Sequence, residues 1–264
     1  MKKLFIVLLM FCAAAGQAQM KEGRVIYERV FQMPIRNFNI DPAIAAQIPK
    51  SRTDQYELLF GNNQSLWQIL PSINSDDQNS FSANGVMVRF AGGSNDITYF
   101  NFDKGTRVDQ QEVMDKSFVV SDSVRKLSWK LSDETKTVLD RTVHKATAQR
   151  ISVRPRMTME NGVMKRQDFP DTAQVVAWYT TEIPVPAGPE FQGQLPGLIL
   201  EMDIDKGGTV YRAIEISPKV NTGKIKEPKD GKKVTAAEFA VERNKIMEEM
   251  RKNMPPGGNI RMQN

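Results

Sequence analysis

Thiols and imidazoles are almost missing from this chain: of 264 residues, one is cysteine, Cys12, and one is histidine, His144. A disulfide needs two cysteines and a structural zinc site needs about four thiolate or imidazole ligands, so both are excluded. No HExxH, GxSxG or Gly-rich phosphate loop occurs. A Ser-His-Asp triad would have to use His144, which sits in the middle of a β-prone run beside no helper. Paired carboxylates are the one catalytic device left open, because their separation of roughly 5–10 Å is a property of the fold and not of sequence spacing. The formal net charge of +5 is too mild to indicate a nucleic-acid binder. Basic residues gather at Arg150, Arg154 and Arg156 and again from Lys224 to Lys233, where a solvated loop competes with contact to acidic envelope glycolipid.

Long apolar runs are also lacking, except at the start. Met1-Lys2-Lys3 is a positive n-region, Leu4–Phe11 is an apolar run too short to span a bilayer, and Gly16-Gln17-Ala18 places small residues at a peptidase site. Residues 1–19 are therefore expected to be a cleaved signal peptide, and the protein to be exported to the periplasm, the outer membrane or beyond. Phe11 and Met10 are too bulky for a lipobox at Cys12, so the only thiol leaves with the leader. Beyond it, no run approaches the roughly 20 residues of a membrane helix.

What remains is rich in strand signals. Val25-Ile26-Tyr27 opens a β-prone run, and Asp41-Pro42 is placed to cap a short helix to Ile48. Tyr56–Phe60 and Leu66–Leu70 flank Gly61-Asn62-Asn63-Gln64, a spacer of hairpin length. Ile97–Phe102 and Thr106–Val113 flank a second turn at Asp103-Lys104-Gly105. Leu198–Ile204 and Thr209–Ile216 flank a third at Asp205-Lys206-Gly207-Gly208. Leu127, Trp129 and Leu131 alternate with polar residues as in a half-buried strand, and Val138–Ile151 and Val175–Thr180 are less regular strands. Near the end, Thr235 and Glu238 form a capping box and Val234 and Phe239 a hydrophobic staple, so a helix should begin there and stop before Pro255-Pro256-Gly257-Gly258. The expected architecture is mainly β: a single curved antiparallel meander of eight to ten strands over residues 20–233, open or half-barrel-like, with a helix over 234–254 and a flexible tail over 255–264.

One segment resembles a known family. Ala177-Trp178-Tyr179-Thr180-Thr181-Glu182-Ile183-Pro184-Val185-Pro186-Ala187-Gly188-Pro189, followed by Leu195-Pro196-Gly197-Leu198-Ile199-Leu200-Glu201, is similar to the GLPGLI family of exported Bacteroidota proteins. Leu127–Leu131, Thr135–Leu139 and Lys145-Ala146-Thr147 resemble its other blocks. Gln194 stands where the motif begins with Gly, and Val143 where many relatives carry Cys. The resemblance implies an uncharacterised β-rich envelope protein, associated with the outer membrane and TonB-dependent receptors, and it supplies no established catalytic residues. Physically, the prolines fix φ and the glycines relax it, giving a stiff irregular connection between two strands. It either closes one end of the sheet or forms the rim of a ligand groove, with Trp178, Tyr179, Phe191, Pro196 and Gly197 as contacts.

Methionine is the other unusual signal, with fourteen in the chain. If Asn161-Gly162 is a two-residue hairpin loop, Met159 lies across from Met164, and Met157 belongs to the same face. Three thioethers together would suit Cu(I), whereas the neighbouring Arg154, Arg156, Lys165 and Arg166 argue for packing or partner contact. No other cofactor is implied. The leading expectation is a non-enzymatic envelope protein that binds a ligand or a protein partner. Copper handling and a carboxylate-dependent hydrolase are the alternatives.

Overall fold

The computed structural model describes residues 19–32, 49–71, 80–83, 86–91, 96–124, 126–160, 163–252 and 261–263. The expected signal peptide and the helix expected after Asp41 lie outside the described residues.

Alternating apolar and polar residues, punctuated by Asn, Asp and Gly, fold the chain into strands joined by short turns. The first half contributes β1 (Gly23–Gln32), β2 (Ser51–Gly61), β3 (Gln64–Ile69), β4 (Ser80–Ala83), β5 (Val86–Ala91), β6 (Ile97–Asn101), β7 (Thr106–Val113) and β8 (Lys116–Ser123). The second contributes β9 (Lys130–Val138), β10 (Arg141–Glu160), β11 (Val163–Thr180), β12 (Leu198–Ile204), β13 (Thr209–Ser217), β14 (Lys232–Thr235), a helix α1 (Ala236–Lys252) and β15 (Arg261–Gln263). Twelve of these form one open sheet in the order β14-β8-β7-β6-β3-β2-β1-β13-β12-β11-β10-β9, and β15-β5-β4 form a small second sheet. The main sheet is thus two antiparallel meanders stitched together by the β1–β13 pair. Its β14–β8 edge is the parallel exception.

Three predicted turns sit where the sequence puts them, and the fourth, Asn161-Gly162, lies outside the described residues, between the paired Glu160 and Val163. Asn62 and Asn63 both take positive φ, 53° and 56°, as the tight hairpin twist demands. Two strand expectations are corrected. Val138–Ile151 is broken by a turn at Leu139 and Asp140, with φ of 48° and 58°; Asp tolerates that conformation but Leu advertises it poorly. Leu127 and Trp129 precede β9 instead of lying in it, and Leu131 is exposed. Within the stretch expected to be a flexible tail, Arg261–Gln263 pairs with β5. Where eight to ten strands were expected, the extra ones are short or charged and carry weak patterns.

The sheet is covered on both faces. On one, Val25, Tyr27, Leu58 and Phe60 pack beneath Ile183, Val185 and Ala187 of the β11–β12 connection. On the other, Leu59, Leu66, Tyr99, Val108 and Val119 are closed over by Ile225 and Val220, which flank a 3-10 turn at Thr222–Lys224. Helix α1 covers the β8–β14 edge, where Phe239 meets Phe118 edge-on with ring centres 5.3 Å apart, and Val234 and Ile246 are buried. Its capping box is formed: Glu238 N–H donates to Thr235 Oγ1 at 3.2 Å and Thr235 N–H donates to Glu238 Oε2 at 2.8 Å. That contact holds the Glu238 carboxyl below its usual range. Among the described residues no helix is long and apolar enough to cross a membrane.

Candidate functional site: a recess beside the β11–β12 connection

The connection from Thr181 to Gly197 lies across the sheet face. Ile183, Val185 and Ala187 are buried while the alternate Pro184 faces solvent, so a strand-like alternation is kept without a strand. The prolines explain why: they have no N–H to give to a neighbouring strand, and the remaining amides are satisfied locally. Val185 N–H donates to Ile183 O at 2.8 Å, Ala187 N–H to Val185 O at 2.7 Å and Phe191 N–H to Pro189 O at 2.7 Å, a series of γ-turns. Gly193 N–H returns to Pro186 O and Ile199 N–H to Ala187 O. At Gly197 a Cβ would lie 2.0 Å from the Thr180 carbonyl oxygen, so no other residue fits that close approach.

The polar residues of the connection make specific attachments. Gln192 is buried and accepts a hydrogen bond from Ser65 Oγ. Gln194 Oε1 accepts from Leu127 N–H at 2.9 Å and from Trp129 Nε1 at 3.1 Å. Gln194 therefore ties the extended 127–129 segment to the sheet. Glu190 has a left-handed backbone, φ 58°, a conformation that costs a non-glycine residue on the order of 1 kcal/mol. Its carboxylate accepts from the Tyr211 hydroxyl at 2.6 Å, and its carbonyl accepts from Arg107 Nη1 at 3.4 Å.

Beside Glu190 the face is open. Trp67, Thr98 and Asp109 are directly paired across β3, β6 and β7. The short Thr98 between a large ring and a carboxylate leaves a recess of about 140 Å³. A second space of about 80 Å³, toward Phe100, Arg107 and Gln192, shares Trp67, Thr98 and Glu190 with it. One wall is a stack: the Arg29 guanidinium over the Tyr56 ring at 5.0 Å, Tyr56 against Trp67 at 5.0 Å and 16°, and Tyr211 edge-on to Trp67. Burial and the Glu190 charge hold the Tyr211 phenol well above its usual range, and burial pushes Tyr56 up to about 12. Both are therefore neutral donors at any physiological pH.

Charge is arranged around this wall. Asp54 receives Arg29 Nη2 at 2.5 Å and Arg52 Nε at 2.7 Å, leaving Arg29 Nε and Arg52 Nη1 buried with no partner among the described residues. Asp109 is gripped by Arg107 Nε at 2.9 and 3.0 Å and by the Thr98 hydroxyl at 2.6 Å. Asp96 accepts from Glu112 N–H at 3.1 Å. Desolvation, then repulsion from Asp109 and Glu112, push its carboxyl up to about 6. Much of the residue faces water, which draws the carboxyl back toward its ordinary range.

The residues singled out from sequence are dispersed. Tyr179 is buried in the core, 5.9 Å from the His144 ring. Trp178 carries the Lys136 and Lys145 ammonium groups over its ring at 4.5 and 5.8 Å. Phe191 stands edge-on to Trp129 at 6.0 Å, next to Glu190 but outside the recess lining. Pro196 is exposed and Gly197 is sealed against Thr180. In the hairpin of β10 and β11, Met159 pairs with Met164 and Met157 with Arg166 in the backbone register; the side chains of Met157, Met159 and Met164 lie outside the described residues. Among the described residues no three His, Cys, Asp or Glu side chains are grouped to hold a metal. The recess residues Arg29, Tyr56, Trp67, Thr98 and Tyr211 come from five strands, and no sequence motif links them.

Residues 129–201, which include the whole connection, match a family described as "Protein of unknown function (Porph_ging)". No curated protein matches. The chain is similar to the solved structures of PNGF-II in the P21 and C2 space groups, at 16% and 15% identity with a TM-score of 0.50 in each case. The alignments cover 86% and 85% of this chain but only 34% and 33% of those. The chain thus spans about a third of PNGF-II, and at that identity the likeness is one of fold, joined to a match of its central segment to a family of unknown function.

Proposed function

We propose that this chain is a non-enzymatic binding protein of the cell envelope, GLPGLI-like in its central segment, that holds a ligand in the recess bordered by Trp67, Thr98, Asp109 and Glu190. The supporting observation is selective filling. The same connection that packs Ile183, Val185 and Ala187 tightly against the sheet exposes Glu190, and the face beside that residue stays open. A left-handed glutamate held by a tyrosine hydroxyl at that boundary is the kind of local strain that persists where function needs it. The proposed place of work is the periplasm or outer membrane, with an outer-membrane receptor as the partner for delivery.

Titration of the purified protein against peptides and oligosaccharides, read by tryptophan fluorescence and calorimetry, tests this. Binding lost in Thr98→Phe, which fills the recess, is the expected result. Binding unaffected by that change places the site elsewhere.

A second reading, a carboxylate-dependent hydrolase, has one observation in its favour: Asp96, Asp109 and Glu190 line one recess. Asp109 is committed to Arg107 and Thr98, so Asp96 would have to be the acid. Turnover of a glycoside or peptide that disappears in Asp96→Asn would support it. Tight binding of a ligand released unchanged would end it. Copper handling through Met157, Met159 and Met164 rests on sequence alone, and copper binding by the intact protein but not by a triple Leu variant is its test.

A further inference from the structure

Building on the binding reading, we infer that the recess takes a cationic group, an alkylammonium or guanidinium such as the basic side chain of an extended peptide. Three observations converge on this class. First, the chain as a whole is basic, with a formal net charge of +5, yet the surroundings of the recess reverse that sign. Asp54, Asp96, Asp109 and Glu190 stand against Arg29, Arg52 and Arg107, four carboxylates against three guanidiniums.

Second, each of those guanidiniums is already paired with a carboxylate, although Arg29 Nε and Arg52 Nη1 are buried with no partner among the described residues. Arg29 and Arg52 share Asp54, Arg29 also lies over the Tyr56 ring, and Arg107 grips Asp109. Glu190 has only the neutral Tyr211 phenol as its described side-chain donor. An incoming donor would thus find carboxylate oxygens, and an incoming anion would find them too, with like charge.

Third, the stack that walls the recess already accepts one cation. Arg29 caps Tyr56, Tyr56 stacks on Trp67, and Trp67 borders the open space above Thr98. A ligand cation seated over Thr98 would sit between the Trp67 ring and the Asp109 carboxylate with Glu190 alongside, combining ring quadrupole and carboxylate attraction in a partly desolvated place.

The test uses the full mature chain with an acetylated oligolysine amide as probe, against a matching oligoglutamate and a neutral gluco-oligosaccharide. Oligolysine should bind, weaken with added salt, be lost in Thr98→Phe, and weaken by about tenfold in Glu190→Gln. Glu248→Gln, on the exposed side of α1, should leave it unchanged. Glu190→Gln alone decides the matter if Thr98→Phe does not fold, which a thermal melt reports. Oligolysine binding insensitive to Glu190→Gln, or equal in salt, overturns the inference. If the neutral sugar or oligoglutamate binds in a Thr98-sensitive way and oligolysine does not, the cationic assignment falls and the recess stands as a binding site. If no probe binds, both fall.

Discussion

The two parts of one sheet face make the instructive contrast. Under residues Ile183 to Ala187 the face is dry and filled: Val25, Tyr27, Leu58 and Phe60 below, γ-turned backbone above, and Tyr27 donating its hydroxyl to the Ile199 carbonyl at 2.6 Å. A few residues further along the same connection, over β3, β6 and β7, the face is polar and open. The difference lies in what each strand contributes. Where β1 and β2 supply Val, Leu and Phe, apolar residues from the connection can lie flat on them. Where β6 and β7 supply Thr98 and Asp109, the connection leaves the face uncovered beside Glu190 and packs again only at Gln192 and Gly193, against Ser65 and Phe100. Filling holds the fold together, and the unfilled remainder is the place the proposed binding reading assigns to a ligand.

The filled part should break first and hardest. In Gly197→Ala the new methyl meets the Thr180 carbonyl oxygen at 2.0 Å, against backbone that cannot give way. A loss on the order of 4 kcal/mol or more is expected, seen as insoluble protein or a melting point lowered by tens of degrees. A Gly197→Ala protein that melts within a few degrees of wild type would show the connection to be loosely seated. Ile183→Ala removes a fully buried side chain from the middle of the contact and should cost about 3 kcal/mol in urea denaturation, without change in the ligand site.

At the seam between the two parts, Gln192→Ala leaves the buried Ser65 hydroxyl without its acceptor. A smaller loss of about 1–3 kcal/mol follows. Gln192→Glu keeps an acceptor for Ser65 in either protonation state, but its ionised form buries a charge, so its melting point should fall as pH rises from mildly acid to neutral. A flat profile would show that water or a cation reaches the carboxylate.

The contrast also explains what the sequence could and could not disclose. The hairpins around Asn62-Asn63 and Asp205 to Gly208 and the capping box at Thr235 are local devices written in adjacent residues, and each forms as read. The Pro/Gly segment was legible as a stiff connection for the same reason. Whether it closed the sheet or rimmed a groove depended on residues far away in the chain, and it does the first along Ile183–Ala187 while bordering a recess at Glu190. Trp67, Thr98 and Asp109 are neighbours only through pairing of β3, β6 and β7, so no spacing rule links them. The positive φ of Glu190 leaves no mark on residue type. The turn at Leu139-Asp140 was hidden in the same way, since leucine there reads as strand.

The open part should respond in the opposite manner: large in binding, small in stability. Glu190→Gly is the sharpest case because two effects oppose each other. Glycine relaxes the left-handed backbone and gains on the order of 1 kcal/mol. Removing the carboxylate takes the acceptor from the buried Tyr211 hydroxyl, costing about 1–2 kcal/mol. The net change in unfolding free energy should therefore stay within about 1 kcal/mol, while ligand binding at the recess is lost. Chemical denaturation of Glu190→Gly beside Glu190→Gln separates the two, since glutamine keeps an acceptor for Tyr211 and keeps the strain. If Glu190→Gly instead unfolds as readily as Ile183→Ala, Glu190 belongs to the filled part, and the boundary between packing and site must be drawn further along the connection.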